Sequence, residues 1–269
     1  MQRDQDAVTE QFLKDAEGPD RPLIDAIIPI SELRAEYAAG SPTFIKQIDW
    51  LESHGYKELR RAKGDGDCFY RSLAFAYVER IMQDSQPELG VGIALSILGP
   101  TLPMLARVGF DAVVYEDVYE IFVELLQSII PDRKGNKLTS DQLLRRFQDP
   151  MVSFSIVSYL RLVTSAQLRL TKEEVEVFLF HPETGLPMVV ERFCEQFVEP
   201  CGKDADHVQV EALCRALQLN VDVAYLDGRG NDDAVTFVHL RNSLDEKSEP
   251  LKLLYRPGHF DILIGPSSG

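Results

Sequence analysis

The first two thirds of the chain carry apolar residues at helical spacings. Around residues 118–129 the apolar positions recur three and four apart, as in an amphipathic helix: Val118, Ile121, Phe122, Leu125, Leu126 and Ile129. Thr171 and Glu174 have the spacing of a capping box and predict a helix start ahead of Val175. Asp206 predicts the start of another helix, whose apolar residues are Val210, Leu213, Ala216 and Leu217. We therefore expect a substantial helical layer.

The last third changes to the spacing of β-strands. Apolar residues alternate over 221–225 and again over 260–264, and a short apolar run fills 251–255. Residues 227–233 lack the alternating ligands and closing glutamate of a calcium loop, so they predict a solvated hairpin turn. Helices first and mostly strands last predict an α+β fold, in which a small, mostly antiparallel sheet packs against a helical layer.

The two ends of the chain differ from its centre. Residues 1–21 are rich in Asp, Glu and Gln and predict a mobile acidic arm, with at most a short helix around 7–16. Because no linker or repeat interrupts the pattern that follows, we expect a single domain over 22–265 and a flexible tail over 266–269.

Residues 89–106 form an apolar stretch without any charged residue. Its length is close to that of a membrane-spanning helix, but Pro100, Pro103 and three glycines interrupt it. We expect a buried hairpin of short helices there, and no association with a membrane.

Composition and charge narrow the function classes. The 269 residues are 45% hydrophobic and 26% charged, as in globular proteins with a large core. The net charge of -15 disfavours binding to nucleic acids and anionic lipids, and it favours a partner with a basic face. Four cysteines in a long chain, without a signal peptide, predict a reducing intracellular setting, cytoplasmic or also nuclear.

The candidate chemistry begins at one cysteine that follows a glycine-containing turn. Gly64 and Gly66 permit unusual backbone angles just before Cys68, and a helical stripe follows at Leu73, Tyr77 and Ile81. Cys68 is therefore predicted to lie at a helix N-terminus, where the helix dipole favours the thiolate. Backbone amides of the turn, including those near Asp65 and Cys68, are candidates for an oxyanion hole.

A histidine and a carboxylate near the C-terminus complete this candidate site. Side chains two apart on a strand share a face, so His259 and Asp261 lie together, opposite Phe260, Ile262 and Ile264. The carboxylate can then orient the imidazole while the imidazole takes the proton of the thiol. Taken singly, each of these residues is more often structural; taken together, they predict a cysteine protease.

A metal site is a weaker interpretation of the other thiols. Cys194, Cys201, His207 and Cys214 are separated by six, five and six residues, which matches no common pair of zinc ligands. Scattered buried thiols are expected instead, and the thiol chemistry requires neither a metal nor an organic cofactor.

Five strings of the sequence resemble, in order, the otubain branch of the ovarian-tumour (OTU) cysteine-protease deubiquitinases. They are GDGDCFYR at 64–71, YLRLVTS at 159–165, EPC at 199–201, DADHV at 204–208 and LYRPGH at 254–259. The resemblance covers nearly the whole chain, from about residue 23 to 264. It implies a papain-like OTU fold and an isopeptidase that removes ubiquitin from lysines, with a preference for polyubiquitin chains that signal degradation.

The resemblance also assigns roles to the candidate residues. It implies Cys68 as the nucleophile, His259 as the general base and Asp261 as the residue that orients it. Asp65 falls at the position whose backbone helps to build the oxyanion hole.

The same resemblance implies ubiquitin-binding surfaces that the residue pattern alone would describe as turns. They include Phe180 and His181 in one turn, and Pro200 and Lys203 in another. It implies ubiquitin, polyubiquitin and ubiquitin-conjugating enzymes as partners of a monomer. Two alternatives stay open: a weakly active or non-catalytic binding regulator, and a cysteine peptidase with unrelated substrates.

The sequence departs from the family pattern at two places. Asp67 stands where asparagine is usual, and a carboxylate beside the nucleophile opposes thiolate formation unless it faces solvent or pairs with a cation such as Arg71 or Lys63. The apolar stretch 89–106 also replaces a more polar helical region.

Overall fold

The computed structural model describes residues 21–38, 40, 42–228, 234–243, 245 and 248–265. The short helix expected around 7–16, most of the predicted turn at 227–233 and the predicted tail at 266–269 lie outside the described residues, as does the predicted arm except for Arg21.

The helices of the described residues are α1 (Ile30–Glu36), α2 (Pro42–Ser53), α3 (Cys68–Gln83), α4 (Pro87–Leu98), α5 (Thr101–Arg107), α6 (Ala112–Gln127), α7 (Ser140–Gln148), α8 (Pro150–Leu170), α9 (Lys172–Val175), α10 (Val190–Phe193) and α11 (His207–Ala216). A 3₁₀ turn (Glu176–Phe178) follows α9, and a π-helical turn (Cys194–Val198) follows α10. These bounds confirm the predicted helix near 118–129, apart from Ile129.

The strands are β1 (Ile24–Pro29), β2 (Glu58–Ala62), β3 (Val221–Tyr225), β4 (Thr236–Leu240), β5 (Leu251–Arg256) and β6 (His259–Ile264). They form one sheet in the order β1-β2-β6-β5-β3-β4, in which only β3 and β5 pair in parallel. The α+β prediction is confirmed.

Strands β1 and β2 contradict the expectation that helices come first. The sequence of β2 is charged, yet the strand lies between β1 and β6. Its Arg60 is buried because the guanidinium donates to Glu79 at 2.7 Å and lies 4.9 Å from the centre of the Phe75 ring. A buried cation with such partners can occupy a sheet interior that a hydrophobic pattern does not predict.

The sheet separates two hydrophobic clusters. Successive residues of a strand point to opposite faces, so Leu253 and Ile262 join the large cluster of α3, α6 and α8, whereas Leu254 and Leu263 join a smaller one under α1 and α2. The predicted helical layer is therefore present, and α1 with α2 covers the opposite face. Helix α8 runs through the large cluster, where Tyr159, Leu160 and Val163 are fully buried.

The two predicted helix caps, an N-cap at Asp206 and a capping box at Thr171, have different outcomes. Asp206 caps α11 as predicted: its carboxylate accepts from the His207 amide at 2.7 Å, and Gln209 accepts from the Asp206 amide at 3.1 Å. The capping box at Thr171 was wrong, because the Thr171 hydroxyl donates to the Gln167 carbonyl at the end of α8.

The apolar stretch 89–106 forms two helices, α4 and α5, which break at Gly99 and Pro100 as expected. The expectation that this hairpin is buried was wrong in part. Only one side of α4 packs on the core, and Leu89 and Ile93 on the other side are 58% and 51% exposed.

Candidate active site

Cys68 is the first residue of α3, and its side chain is buried. The turn before it depends on Gly66, whose φ of +79° is unfavourable for residues with a side chain. A Cβ atom at Gly66 would also lie 2.3 Å from the Gly202 carbonyl carbon. The nucleophile turn, residues 64–67, is thus in backbone contact with a segment far along the sequence.

Strand β6 supplies the two partners that the sequence predicts. The Phe260 amide donates to the Sγ atom of Cys68 at 3.4 Å, so the start of β6 lies against the thiol. His259 Nε2 is 2.9 Å from Asp261 Oδ1, and the same oxygen accepts from the Ala62 amide at 3.0 Å. Because Nε2 faces the carboxylate, Nδ1 is the ring nitrogen that remains for the thiol.

Electrostatics favour a charged imidazole in this buried position. Burial lowers the pKa of His259, but Asp261 and Cys68 outweigh that effect and raise the pKa to about 9. Burial raises the pKa of Asp261, yet Arg256 and His259 together lower it below its usual range. The imidazole is therefore protonated at neutral pH, which is the form that stabilises a neighbouring thiolate.

The other three thiols lie in environments that keep them protonated. Burial raises the pKa of Cys194 to about 11 and raises the pKa of Cys201 and Cys214 above its ordinary value. All four cysteines are free thiols. Within the described ranges, no three His, Cys, Asp or Glu side chains are grouped so that they could hold a metal ion.

Arg256 is a site residue that sequence reasoning missed, although it lies inside the family-like string 254–259. It is fully buried at the end of β5, and its Nη2 atom donates to Asp261 Oδ2. Its Nη1 atom is 3.5 Å from Glu36 Oε2, and its guanidinium is also hydrogen-bonded to Tyr37. The carboxylate that orients His259 is thus held by a buried cation.

Replacing this cation should cost much stability. The Arg256→Met variant is expected to lose about 3–5 kcal/mol of unfolding free energy, because the buried Asp261 would lose one of its two cationic partners and keep only His259. Urea denaturation measures the loss. Arg34→Met is the control, since the Arg34–Asp49 pair at 2.6 Å is solvent-exposed and should contribute less than about 1 kcal/mol. Equal losses in the two variants would contradict the assignment.

Asp65 and Asp67 flank the glycine of the nucleophile turn and have different cations. Arg71 binds the Asp65 carboxylate through two nitrogens, at 2.8 and 2.9 Å. Asp67 is paired with neither of the cations suggested by the sequence, Arg71 and Lys63; its partner is Arg161 of α8, whose Nε lies 2.9 Å from Asp67 Oδ1. Each of these two carboxylates is therefore paired with a cation.

Phe180 and His181, which the family resemblance assigns to ubiquitin binding, lie in a loop at 179–188. Its ends are joined by the Met188 amide, which donates to the Leu179 carbonyl at 2.9 Å. Phe180 is 48% exposed, and the His181 ring packs edge-on against Phe197 at 5.2 Å. Further exposed apolar residues here are Val177, Phe178, Leu186 and Val189.

Pro200 and Lys203, the other two residues assigned by the resemblance, belong to a segment at 198–203 that adjoins the nucleophile turn. Its Gly202 amide donates to Asp67 Oδ1 at 3.0 Å, and the Lys203 carbonyl accepts from Arg161 at 2.6 Å. The Lys203 side chain itself is exposed. The structure thus brings this segment to the nucleophile turn, whereas the 179–188 loop packs beyond the π-helical turn.

A thiol at a helix N-terminus, facing an imidazole that a carboxylate holds on a strand, is the arrangement of a cysteine peptidase of the papain type. The family model described as Peptidase C65 Otubain matches residues 16–265. The chain therefore belongs to the otubain family, as the resemblance predicted.

Curated relatives and a solved structure agree with this membership. The "OVARIAN TUMOR DOMAIN-containing deubiquitinating enzyme 1" of Arabidopsis thaliana is 36% identical over 246 residues, which cover 87% of this chain and 78% of that protein. "Ubiquitin thioesterase OTUB1" of Homo sapiens is 35% identical over 244 residues, 90% of this chain and 83% of that one. The similar structure, "The structure of h/ceOTUB1-ubiquitin aldehyde-UBC13~Ub", has a TM-score of 0.79 at 28% identity and covers 96% of both chains. The predicted class, a deubiquitinating enzyme of the cysteine type, is confirmed.

Proposed function

We propose that this chain hydrolyses the isopeptide bond between the C-terminal glycine of ubiquitin and a lysine amine. The observation that carries the proposal is the buried series of contacts from Cys68 through His259 to Asp261. The Cys68 thiolate attacks the glycine carbonyl, and the His259 imidazolium gives its proton to the departing amine. His259 then takes a proton from water, which attacks the thioester and releases the ubiquitin carboxylate and the thiol.

The nucleophile turn can stabilise the negative charge that develops on the carbonyl oxygen. The first amides of α3 have no acceptor inside the helix, and they lie at its positive end together with the backbone at Asp65. The paired Arg71–Asp65 side chains hold this turn, since Asp65 Oδ1 also accepts from the Asp67 amide at 3.1 Å. Asp65 therefore contributes through its backbone and the shape of the turn.

Surface chemistry supports ubiquitin chains as substrate. The net charge of -15 favours encounter with a partner that has a basic and partly apolar face. The exposed apolar side chains of the 179–188 loop suit the apolar part of such a face. We further propose, on the family resemblance, a preference for the polyubiquitin linkage that signals degradation.

This function is tested by incubating the chain with a panel of ubiquitin dimers, one for each linkage, and separately with unrelated peptides at a similar concentration. We expect the wild-type chain to cleave at least one dimer and to leave the peptides intact, as followed by gel electrophoresis. Cleavage of the peptides at comparable rates would instead identify a general cysteine peptidase. Intact dimers of every linkage would refute the isopeptidase.

The 179–188 loop should act on substrate binding and leave the chemical step alone. Phe180→Ala and Leu186→Ala are each expected to raise KM about tenfold with little change in kcat, because the loop contacts ubiquitin away from the scissile bond. Steady-state kinetics on a ubiquitin dimer measure both constants. Leu89→Ala on α4 is the matched control, since Leu89 and Leu186 are 58% and 64% exposed. A comparable rise of KM in the control would refute this assignment.

A second candidate function is binding to a ubiquitin-conjugating enzyme. The similar solved structures are complexes titled with "UBC13~Ub" and "UBCH5B~Ub", at 28% identity to this chain. We expect the full chain with Cys68→Ala, which cannot cleave the conjugate, to bind such an enzyme charged with ubiquitin in isothermal titration calorimetry. Binding to neither charged enzyme would exclude this candidate.

We also propose that the chain works as a monomer in the reducing cytoplasm, or in the nucleus. The four free thiols are compatible with that setting. Sedimentation equilibrium and fractionation of cells are the corresponding measurements, and a dimeric mass or a secreted protein would contradict the proposal.

A further inference from the structure

Arg161 joins three parts of the site that are distant in the sequence. It is fully buried in the middle of α8. Its guanidinium donates to Asp67 Oδ1 and to the Gly66 carbonyl in the nucleophile turn. It also donates to the carbonyls of Val198 at 3.0 Å and Lys203 at 2.6 Å, at the two ends of the 198–203 segment.

Two further contacts complete this junction. The Arg161 guanidinium lies 4.3 Å from the centre of the Tyr70 ring, one turn into α3. The carboxylate of Asp67 accepts from the Gly202 amide as well as from Arg161, so the same oxygen is shared by α8 and the 198–203 segment. Buried polar groups that depend on one another in this way move together or separate at a large cost.

We propose that Arg161 is a positioning residue: it holds the nucleophile turn and the 198–203 segment as one unit, and it neutralises Asp67 so that the thiolate of Cys68 is tolerated beside that carboxylate. The proposal rests on the proposed role of Cys68. Asp67 adjoins the nucleophile and is buried, so its charge would act on the thiolate with little screening by solvent. Because a guanidinium stays protonated, the neutralisation is independent of pH.

Other charged and titratable groups face the same place, and those that carry a charge are paired. On α3 and the turn before it are Arg71 and Asp65, which pair with each other, and the buried phenol of Tyr70. Strand β6 presents His259, paired with Asp261. The 198–203 segment presents the thiol of Cys201, and the π-helical turn presents that of Cys194; burial raises the pKa of both. Among the residues that the structure describes, only the Arg161–Asp67 pair combines a carboxylate adjacent to Cys68 with a cation from α8.

Two single variants separate the charge of this pair from its geometry. Asp67→Asn keeps an oxygen that accepts from Arg161 and Gly202, but it removes the negative charge. Arg161→Gln removes the positive charge and leaves Asp67 buried beside the thiolate. The first change makes the surroundings of Cys68 more positive and the second makes them more negative, so their effects on thiolate formation have opposite signs.

The readout is the pH dependence of alkylation of Cys68 by iodoacetamide, followed on the Cys68 peptide by mass spectrometry. We expect Asp67→Asn to move the midpoint to lower pH by about half a unit, and Arg161→Gln to move it to higher pH by about one unit. The double variant should return near the wild-type midpoint. Shifts of the same sign, or no shift in either single variant, would overturn the proposal.

Glu79→Gln is the matched control. Glu79 forms a buried ion pair with Arg60 at 2.7 Å, and it lies on α3 about 16 Å along the helix from Cys68. The Glu79→Gln variant should therefore be less stable than the wild-type chain, and its alkylation midpoint should be unchanged. If Arg161→Gln does not fold, Asp67→Asn and Arg161→Lys carry the test: the first should still shift the midpoint downward, and the second should leave it near the wild-type value.

Turnover of a ubiquitin dimer supplies the second readout. Loss of Arg161 should lower kcat about 100-fold and also raise KM, because the turn and the 198–203 segment lose their common support. A fall in kcat at unchanged KM would contradict the joint positioning. Cleavage of a dimer by the wild-type chain tests the proposed function by itself: if no dimer is cleaved, that function fails, whereas the differences between variants test only Arg161.

Discussion

The Cys68→Ala variant is expected to lose hydrolysis of ubiquitin dimers by at least about 10⁴-fold, since it removes the atom that attacks the carbonyl. A ubiquitin derivative with an electrophile at its C-terminus should label the wild-type chain once and the variant not at all. Intact-mass spectrometry after labelling gives both results. Because alanine fits in the space of the thiol, the fold and any binding of ubiquitin should persist.

Cys201→Ala provides the control for this variant. Cys201 lies in the segment next to the nucleophile turn, its thiol is 3.5 Å from the Ser158 hydroxyl, and burial raises its pKa. The Cys201→Ala variant should still be labelled once, at Cys68, and should hydrolyse ubiquitin dimers at nearly the wild-type rate. Labelling of the Cys68→Ala variant would show that another thiol reacts. If the wild-type chain bound ubiquitin without becoming labelled, the result would refute the enzyme function and support the binding function.

The second large effect is expected for Asp261→Asn. Asparagine can still accept from the Ala62 amide, but it cannot supply the charge that raises the pKa of His259 to about 9. The alkaline limit of kcat/KM should therefore move from near pH 9 toward the ordinary histidine value of 6.5, and the rate should fall by about 10²–10⁴-fold. Initial rates across pH on a ubiquitin dimer measure the shift. An unchanged alkaline limit would show that Asp261 does not act through His259.

A second histidine and aspartate pair in the same sheet serves as the control. His239 Nδ1 lies 2.7 Å from Asp222 Oδ1, on the neighbouring strands β4 and β3, and the side chain of His239 is 57% exposed. Asp222→Asn changes the same types of residue away from the thiol. It should leave the pH profile of hydrolysis in place.

His259 and Asp261 also make the stability of the fold depend on pH. His259 has a raised pKa in the folded chain, so its contribution is complete below pH 6.5 and is lost as the pH rises toward about 9. The rise of the His259 pKa from 6.5 to about 9 corresponds to about 3 kcal/mol of stability, to which Asp261 and Cys68 both contribute. Asp261 has a lowered pKa, so its contribution is complete above pH 3.8 and is lost as the pH falls below that value. Urea denaturation across pH should show the stabilisation by this pair between these limits, and Asp261→Asn should abolish the alkaline part.

Local sequence patterns were sufficient to predict the residues that carry out the chemistry. The glycines before Cys68, the helical stripe after it and the period of two in the last strand depend only on neighbours in the sequence. The cap at Asp206 is equally local and was predicted correctly. Thr171 shows the limit of such rules, because the same side chain can bond backward to a carbonyl as easily as forward to an amide.

What sequence reasoning missed is held together by contacts between distant residues. Arg161 and Asp67 are 94 positions apart, and no spacing rule connects them. Strand β2 was not predicted, because its Arg60 interrupts the hydrophobic pattern and the partner that allows its burial, Glu79, belongs to another element. Arg256 lies inside a string that resembles the family, but only the structure shows that its guanidinium holds Asp261.

The contact between Cys68 and the Phe260 amide also bears on how the chain acquires activity as it folds. The thiol is near the first quarter of the sequence, whereas the amide of Phe260 that meets it lies 192 residues later. A nascent chain that carries Cys68 but has not yet added β6 is therefore an inert protein with a free thiol. Recovery of hydrolysis during refolding should therefore require that β6 has joined the sheet, and the enzyme cannot act on ubiquitin before β6 has been synthesised.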